Sequence, residues 1–249
     1  MKQFIANIIC ANIIGKFLSL IFNYKIPSIR YNKLLINCKS KYIENKTIAQ
    51  IFWGIYESAE INFSNKYIPN NSIIVELGGS IGVLSSFIIK YKNPNFITIV
   101  EPNPTLIPII ENNINFPNSK IINAAISNNI DENIFFNFGS DNTTGFISDV
   151  SSNNSIAIKS INFDQLITDT IINKTFILIS DIEGAEFFVF NDFNTQFQNI
   201  SLIIIELHDF YFNNFLYDVR YIYDKIINKG FLELDRHGNC FVFKNIKHI

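Results

Sequence analysis

Cysteine is scarce in this 249-residue chain. Cys10, Cys38 and Cys240 are odd in number and stand far apart. They supply neither a disulfide framework nor a zinc-ligand spacing, and so point to a reducing, cytoplasmic setting. Charge is scarce too. Charged residues make up 17% and the net charge is −2, which excludes a broad basic surface for gripping a nucleic acid backbone. With ten glycines and seven prolines, no Pro/Gly-rich linker, internal repeat or charge run divides the chain. No glycine turn is followed by Gly-Lys-Ser/Thr, so a phosphate loop is missing. A membrane-spanning helix needs roughly 20 mostly apolar residues. The stretch from Phe4 to Phe22 comes nearest, but Asn7, Asn12, Lys16 and Ser19 interrupt it. No small-residue cleavage site follows a compact apolar run, so a signal peptide is not read there.

Hydrophobic residues are abundant at 48%, with 50 isoleucines and 35 asparagines. A sizeable core is therefore available and general disorder is not expected. So many asparagines make any single one a weak signal.

The apolar positions Phe4, Ile5, Ile8, Ile9, Ile13, Phe17, Leu18, Ile21 and Phe22 recur at a helical period, with Gln3, Asn7, Lys16, Ser19 and Asn23 opposite. That predicts an amphipathic helix. Packing on its own domain or on a dimer partner is the plainer use of such a helix. Peripheral contact with a membrane surface is the other. The seam at Asn65 to Asn71 divides a helical N-terminal extension, residues 1–70, from residues 71–249, where strands and helices alternate. Continuous apolar runs at Ile73–Leu77, Phe96–Val100, Phe176–Ser180 and Leu202–Glu206 suit parallel strands covered on both faces. Helices are read at Gly82–Tyr91, Thr105–Asn115 and Leu216–Lys229, another strand at Lys120–Ile126, and an inserted hairpin or loop within Phe135–Phe163. A terminal hairpin pairs Phe231–Leu234 with Cys240–Phe243. The pattern is α/β and Rossmann-like: a mostly parallel sheet with helices on both faces. Ligands of such sheets bind beyond the carboxyl ends of the strands.

The first of these strands ends Val75-Glu-Leu-Gly-Gly-Ser-Ile-Gly82. Gly78, Gly79 and Gly82 permit a sharp turn and close approach of a ligand to backbone. Gly78 and Gly82 are four apart, which is not the dinucleotide spacing. A carboxylate at Glu76 would repel a pyrophosphate but accept from a cation, and S-adenosylmethionine carries an ammonium and a sulfonium. At the next strand tip, Glu101 is placed to accept ribose hydroxyls, with capping of the following helix as the structural alternative. Asn123 and Ala124 follow on the third strand, an amide and a small residue suited to an adenine.

The fourth strand ends Ser180-Asp-Ile-Glu-Gly-Ala-Glu186. Three carboxylates in so short a stretch repel one another unless they bind something. Asp181 and Glu183 are the pair of interest. Glu186 falls in the first turn of the next helix, where the macrodipole favours an acid for structural reasons alone. The fifth strand ends Ile205-Glu-Leu-His208, and Glu206 and His208 share one face of an extended strand. His208 or Asp181 can take a proton from a hydroxyl. Alternatively Asp181, Glu206 and His208 hold a divalent metal.

These segments, with Trp53-Gly-Ile-Tyr-Glu57 upstream, Val100-Glu-Pro-Asn103, Asn123-Ala-Ala125 and Phe163-Asp-Gln-Leu-Ile167, resemble the FkbM family of S-adenosylmethionine-dependent methyltransferases. The resemblance runs from about Phe52 to about Asp209. It implies a class I methyltransferase with seven strands, the last antiparallel, that methylates hydroxyls of sugars in surface polysaccharides or glycolipids, or of secondary metabolites. It implies Glu76, Gly78 and Gly82 at the methionine end of the cofactor, Glu101 at its ribose and Asp181 near the transferred methyl. Ser180 stands where the family usually has lysine, and Gly79-Ser80 replaces Ala-Asn. The competing readings are a nicotinamide-dependent oxidoreductase, a nucleic-acid base methyltransferase and a non-catalytic cofactor-binding module. The glycine spacing speaks against the first. For the second, an Asn/Asp-Pro-Pro-aromatic turn is absent. Retention of both Asp181 and His208 opposes the third.

Overall fold

The computed structural model describes residues 12–24, 28–39, 42–128, 134–138, 145–148, 151–171, 174–190, 195–212 and 215–248. The chain begins with helix α1 (Asn12–Tyr24), the hairpin β1 (Ser28–Tyr31) and β2 (Leu34–Asn37), then α2 (Asn45–Phe52) and α3 (Ser58–Tyr67). The hairpin is absent from the helical reading of this region. Its strands are only four residues each, too short for the alternation of Ile29, Tyr31, Leu34 and Ile36 to stand out from the apolar background. From Asn12 onward the helix is present as α1, with Leu18 buried, but Phe17, read on the apolar face, is 64% exposed. The first part of the expected helix, with Phe4, Ile5, Ile8 and Ile9, lies outside the described residues. No helix among the described residues is long and apolar enough to cross a membrane.

The alternating part follows as β3 (Ile73–Leu77), α4 (Val83–Lys92), β4 (Phe96–Val100), α5 (Ile107–Asn113), β5 (Ser119–Ile122) and β6 (Ala125–Ile126). A three-stranded antiparallel insert comes next: β7 (Ile134–Phe138), β8 (Gly145–Ser148) and β9 (Ser155–Ile158), with β7 in the centre. Then come β10 (Ser160–Ile161), α6 (Phe163–Thr170), β11 (Phe176–Ser180), α7 (Glu186–Phe190) and β12 (Ile200–Glu206). The last elements are the small hairpin β13 (Phe210–Phe212) and β14 (Phe215–Tyr217), α8 (Val219–Asn228), β15 (Phe231–His237) and β16 (Cys240–Asn245).

Two expected elements change. The expected strand Lys120–Ile126 ends at Ile122; Ala125 and Ile126 leave the main sheet to pair with Ser160 and Ile161. The expected helix from Leu216 begins at Val219, because the Asp218 side chain accepts the Tyr221 N–H at 2.8 Å and caps it there.

Seven strands form the main sheet in the order β15-β16-β12-β11-β3-β4-β5. β16 is antiparallel to both its neighbours, and the remaining pairs among β12, β11, β3, β4 and β5 are parallel. Side chains alternate between two cores. Ile74, Ile97, Ile99, Ile177, Ile179 and Ile204 face one core, which α4, α5 and the described residues of the N-terminal region cover. Val75, Leu77, Leu178, Ile203 and Ile205 face the other, covered by α6, α7 and α8. Asn113 ties the N-terminal hairpin to the sheet: its side-chain carbonyl accepts the Asn37 N–H at 2.7 Å, and its amide donates to Ile81 O at 2.8 Å in the glycine turn.

Candidate active site

Strand register builds the site. Leu77 pairs with both Val100 and Ser180, and Ser180 pairs with Ile205. The next residue on each strand therefore stands in one row at the carboxyl edge: Glu101, Gly78, Asp181 and Glu206. The tips are linked through backbone, with Gly78 N donating to Val100 O at 2.9 Å and Asp181 N to Leu77 O at 3.0 Å.

Gly78 has φ +89°, and a Cβ built there would lie 1.9 Å from the Asp181 carbonyl oxygen. No other residue fits. Ser80 also adopts a left-handed φ of +46°. That conformation aims its N–H at Glu101 Oε2, 2.8 Å away, while Oε1 accepts the Asn103 N–H at 2.8 Å. Glu101 fixes the turn that leads into α5 and also lines the cavity. Burial pushes its carboxyl up to about 7.

Glu76 is placed differently from the expectation. It alternates with Val75 and Leu77, so its side chain points to the face that α4 covers. It is 2% exposed and accepts the Ser85 hydroxyl at 2.5 Å. Burial pushes it up to about 8. It supports the glycine turn from beneath and does not line the cavity. Gly79 and Gly82 are likewise outside the lining. A Cβ on Gly79 would strike Ile99, and the left-handed Gly82 packs on Ile110. Asn123 is exposed and outside it too. Its amide donates to the Glu101 and Pro102 carbonyls at 2.8 and 2.9 Å, which holds the Glu101 turn. Ala124 does line the cavity, beside Ala125, Ile126 and Phe136.

The reaction residues converge. Asp181, Glu206 and His208 each offer an atom, and these lie within 4.8 Å of one another. His208 Nε2 stands 3.8 Å from Asp181 and 3.6 Å from Glu183, and Nδ1 stands 3.5 Å from Glu186. Burial pulls the imidazole down, but Glu186, Asp181 and Glu183 outweigh it and push it up to about 10. The three carboxylates around it favour its imidazolium form. Burial, with Glu206 adding, holds Asp181 well above the usual carboxylate range and raises Glu206 as well. Glu183 sits at φ +53° and Gly184 at +102° in a tight turn. Glu186, 1% exposed, closes that turn by accepting the Ile182 and Gly184 N–H groups at 2.9 and 2.8 Å. Its structural reading is the one the geometry carries.

The cavity holds about 500 Å³ and is walled by the strand tips, by the β15–β16 turn at His237 to Asn239, and by residues 46–60. That last wall is the main part missed from sequence. Tyr56 hydrogen-bonds Ser80 across it at 2.8 Å, and the Glu57 carboxylate accepts the Leu84 N–H at 3.0 Å. Both belong to the Trp53–Glu57 segment of the resemblance, which gave them no role.

A seven-stranded sheet with one antiparallel strand inserted next to the edge, and an acidic row at its carboxyl edge, defines a class I methyltransferase domain. The Methyltransferase FkbM domain matches residues 76–233, more than half of the chain. The chain belongs to the FkbM family of S-adenosylmethionine-dependent methyltransferases. No curated protein matches. Among solved structures, M. capricolum TrmK bound to S-adenosyl-homocysteine is 10% identical, with TM-score 0.41, and the match covers 74% of this chain and 66% of that one. M. jannaschii TYW2 bound to AdoMet is 15% identical, with TM-score 0.41 and coverage of 86% and 84%. The fibrillarin pre-rRNA processing protein of Methanococcus jannaschii is 13% identical, with TM-score 0.42 and coverage of 71% and 67%.

Proposed function

We propose that the protein transfers a methyl group from S-adenosylmethionine to a hydroxyl oxygen of a sugar or secondary metabolite. The observation that carries this reading is the row Glu101, Gly78, Asp181 and Glu206 opening onto one cavity of about 500 Å³, a size suited to a nucleoside ligand. The donor set fits the methyl donor. Glu101 faces a ribose, Ala124, Ala125 and Phe136 offer an apolar seat for a base, and the acids about Asp181 face a cation. Among the described residues the cavity is lined by Glu57, Glu60, Glu101, Asp181, Glu183 and Glu206 against one lysine, Lys46. Such a wall repels a polyanion, which favours an uncharged hydroxyl acceptor over RNA or DNA.

Bound S-adenosylmethionine supplies an electrophilic methyl carbon that a nucleophile attacks in line with the carbon–sulfur bond. The chain's part is alignment and proton removal. Asp181, with its affinity for a proton raised, takes the acceptor's hydroxyl proton. His208 lies outside the cavity lining; as an imidazolium it offsets the charge of Asp181 and Glu183 and positions them. Glu183 and Glu206 flank Asp181 at the mouth.

A second reading rests on the same cluster. Asp181 Oδ1 is buried without a hydrogen-bond partner, and with His208 and Glu206 it forms a ligand set for a divalent cation. Incubation with labelled S-adenosylmethionine and candidate glycan acceptors, with and without a chelator, tests both. Label in the acceptor that survives chelation supports the proton-transfer reading alone. Label lost on chelation and restored by a divalent cation supports the metal. Failure to bind S-adenosylmethionine by calorimetry overturns both.

A further inference from the structure

The methionine portion of the donor carries an α-ammonium, and its expected acceptor, Glu76, is sealed beneath α4 on Ser85. Glu101 already accepts two backbone N–H groups at the ribose tip. Asp181, Glu183 and Glu206 stand where the methyl is transferred. Two carboxylates remain on the N-terminal wall, Glu57 and Glu60, and both line the cavity; of the two, Glu57 is the one bonded to the start of α4, beside the glycine turn.

Glu57 has φ +48°, a left-handed backbone unusual for a residue with a side chain. That conformation sends its carboxylate inward, where Oε2 accepts the Leu84 N–H at 3.0 Å in the first turn of α4. The neighbouring Tyr56 hydroxyl bonds Ser80 at 2.8 Å, which locks this wall to the glycine turn. Tyr31 in turn donates to the Tyr56 carbonyl at 2.5 Å. Glu57 is thus held rigidly over the start of α4, where the methionine portion must lie if the ribose is on Glu101 and the sulfonium near Gly78 and Asp181.

We infer that Glu57 receives the α-ammonium of the methyl donor, taking the place of the buried Glu76. The inference rests on the methyl-donor reading above. The electrostatics agree: burial, then Glu76, Glu60 and Asp181, raise the Glu57 carboxyl well above its usual range. A cation entering there relieves that repulsion. The acceptor of the ammonium is then supplied by the N-terminal region, outside the strand-and-helix unit that holds the other cofactor contacts.

The test compares two ligands by calorimetry. S-adenosylhomocysteine has the amino acid end; 5′-methylthioadenosine shares the nucleoside and lacks it. Glu57→Gln keeps an oxygen for the Leu84 N–H and removes the charge. We expect it to weaken S-adenosylhomocysteine roughly tenfold or more while 5′-methylthioadenosine binds as to wild type. Glu101→Ala, which removes the ribose partner, should weaken both. Equal loss of both ligands in Glu57→Gln, or no loss of either, overturns the inference and leaves Glu57 as a cap of α4. If wild type binds neither ligand, the methyl-donor reading itself fails.

Discussion

Gly78 is the residue whose replacement is least tolerable. Its φ of +89° and the 1.9 Å approach of the Asp181 carbonyl to a built Cβ leave no room for alanine. Gly78→Ala should therefore part β3 from β11 at their carboxyl ends. We expect S-adenosylmethionine binding to be lost by calorimetry and the melting temperature to fall by several degrees, at roughly 2–4 °C per kcal/mol for a domain of this size. An unchanged melting curve would show that the two strand tips do not touch. Asp181 is tested by a quieter change. Asp181→Asn preserves volume and removes the proton acceptor, so turnover should drop by roughly 10²–10⁴-fold while affinity for S-adenosylhomocysteine, which lacks the sulfonium, holds. Turnover near wild type would take the proton-transfer role away from Asp181.

At the scale of the strand tips, Glu76, Glu101 and His208 are raised in the same direction as Asp181 and Glu206. Glu101 and Glu76 are pushed from 4.5 up to about 7 and about 8, chiefly by burial. His208 is pushed from 6.5 up to about 10 by Glu186, Asp181 and Glu183 against the opposing effect of burial. In each case the folded state holds its proton more tightly than the unfolded chain. The stability this adds is complete below the unfolded value and is lost as pH rises through the folded one. The ligand-free protein should accordingly melt at steadily lower temperature from about pH 5 to about pH 8, and again towards pH 10. A cationic ligand favours the ionised carboxylates, so S-adenosylmethionine should bind more tightly, and stabilise more, at pH 8 than at pH 6. Thermal melts with and without ligand across that range check the sign. A flat or rising ligand-free profile contradicts it.

For the whole molecule, the N-terminal region is part of the core and part of the site. Ile29, Tyr31, Ile36, Ile48, Ile51, Ile61 and Phe63 are buried in one cluster with Ile74, Ile97 and Ile204 of the sheet. Residues 46–60 also supply one wall of the cavity. Removing residues 1–70 would take away the part of the core that packs over α4, α5 and one face of the sheet. The fragment 71–249 should show no sharp calorimetric transition and no near-ultraviolet circular dichroism of a fixed core. A cooperative melt like that of the full chain would show that the strand-and-helix part folds alone.

The sequence by itself determined the alternating fold and the tips of its strands. Apolar runs bounded by turns and alternating with helices suit inner strands of a mostly parallel sheet, and the glycines and acids that end them fall at its carboxyl edge. It pointed to Asp181, Glu206 and His208 facing one another, because they end neighbouring strands. Which face each side chain takes was left to the tertiary structure. Alternation along β3 turns Glu76 into the core that α4 closes, and the helix over that face is visible only once the sheet is built. The roles of Asn123 and Glu186 as backbone braces depend on where particular N–H and carbonyl groups come to rest. Glu57 lies far along the chain from the strand tips it faces. Its place in the site comes from the packing of the N-terminal region across the sheet edge, which no local periodicity encodes.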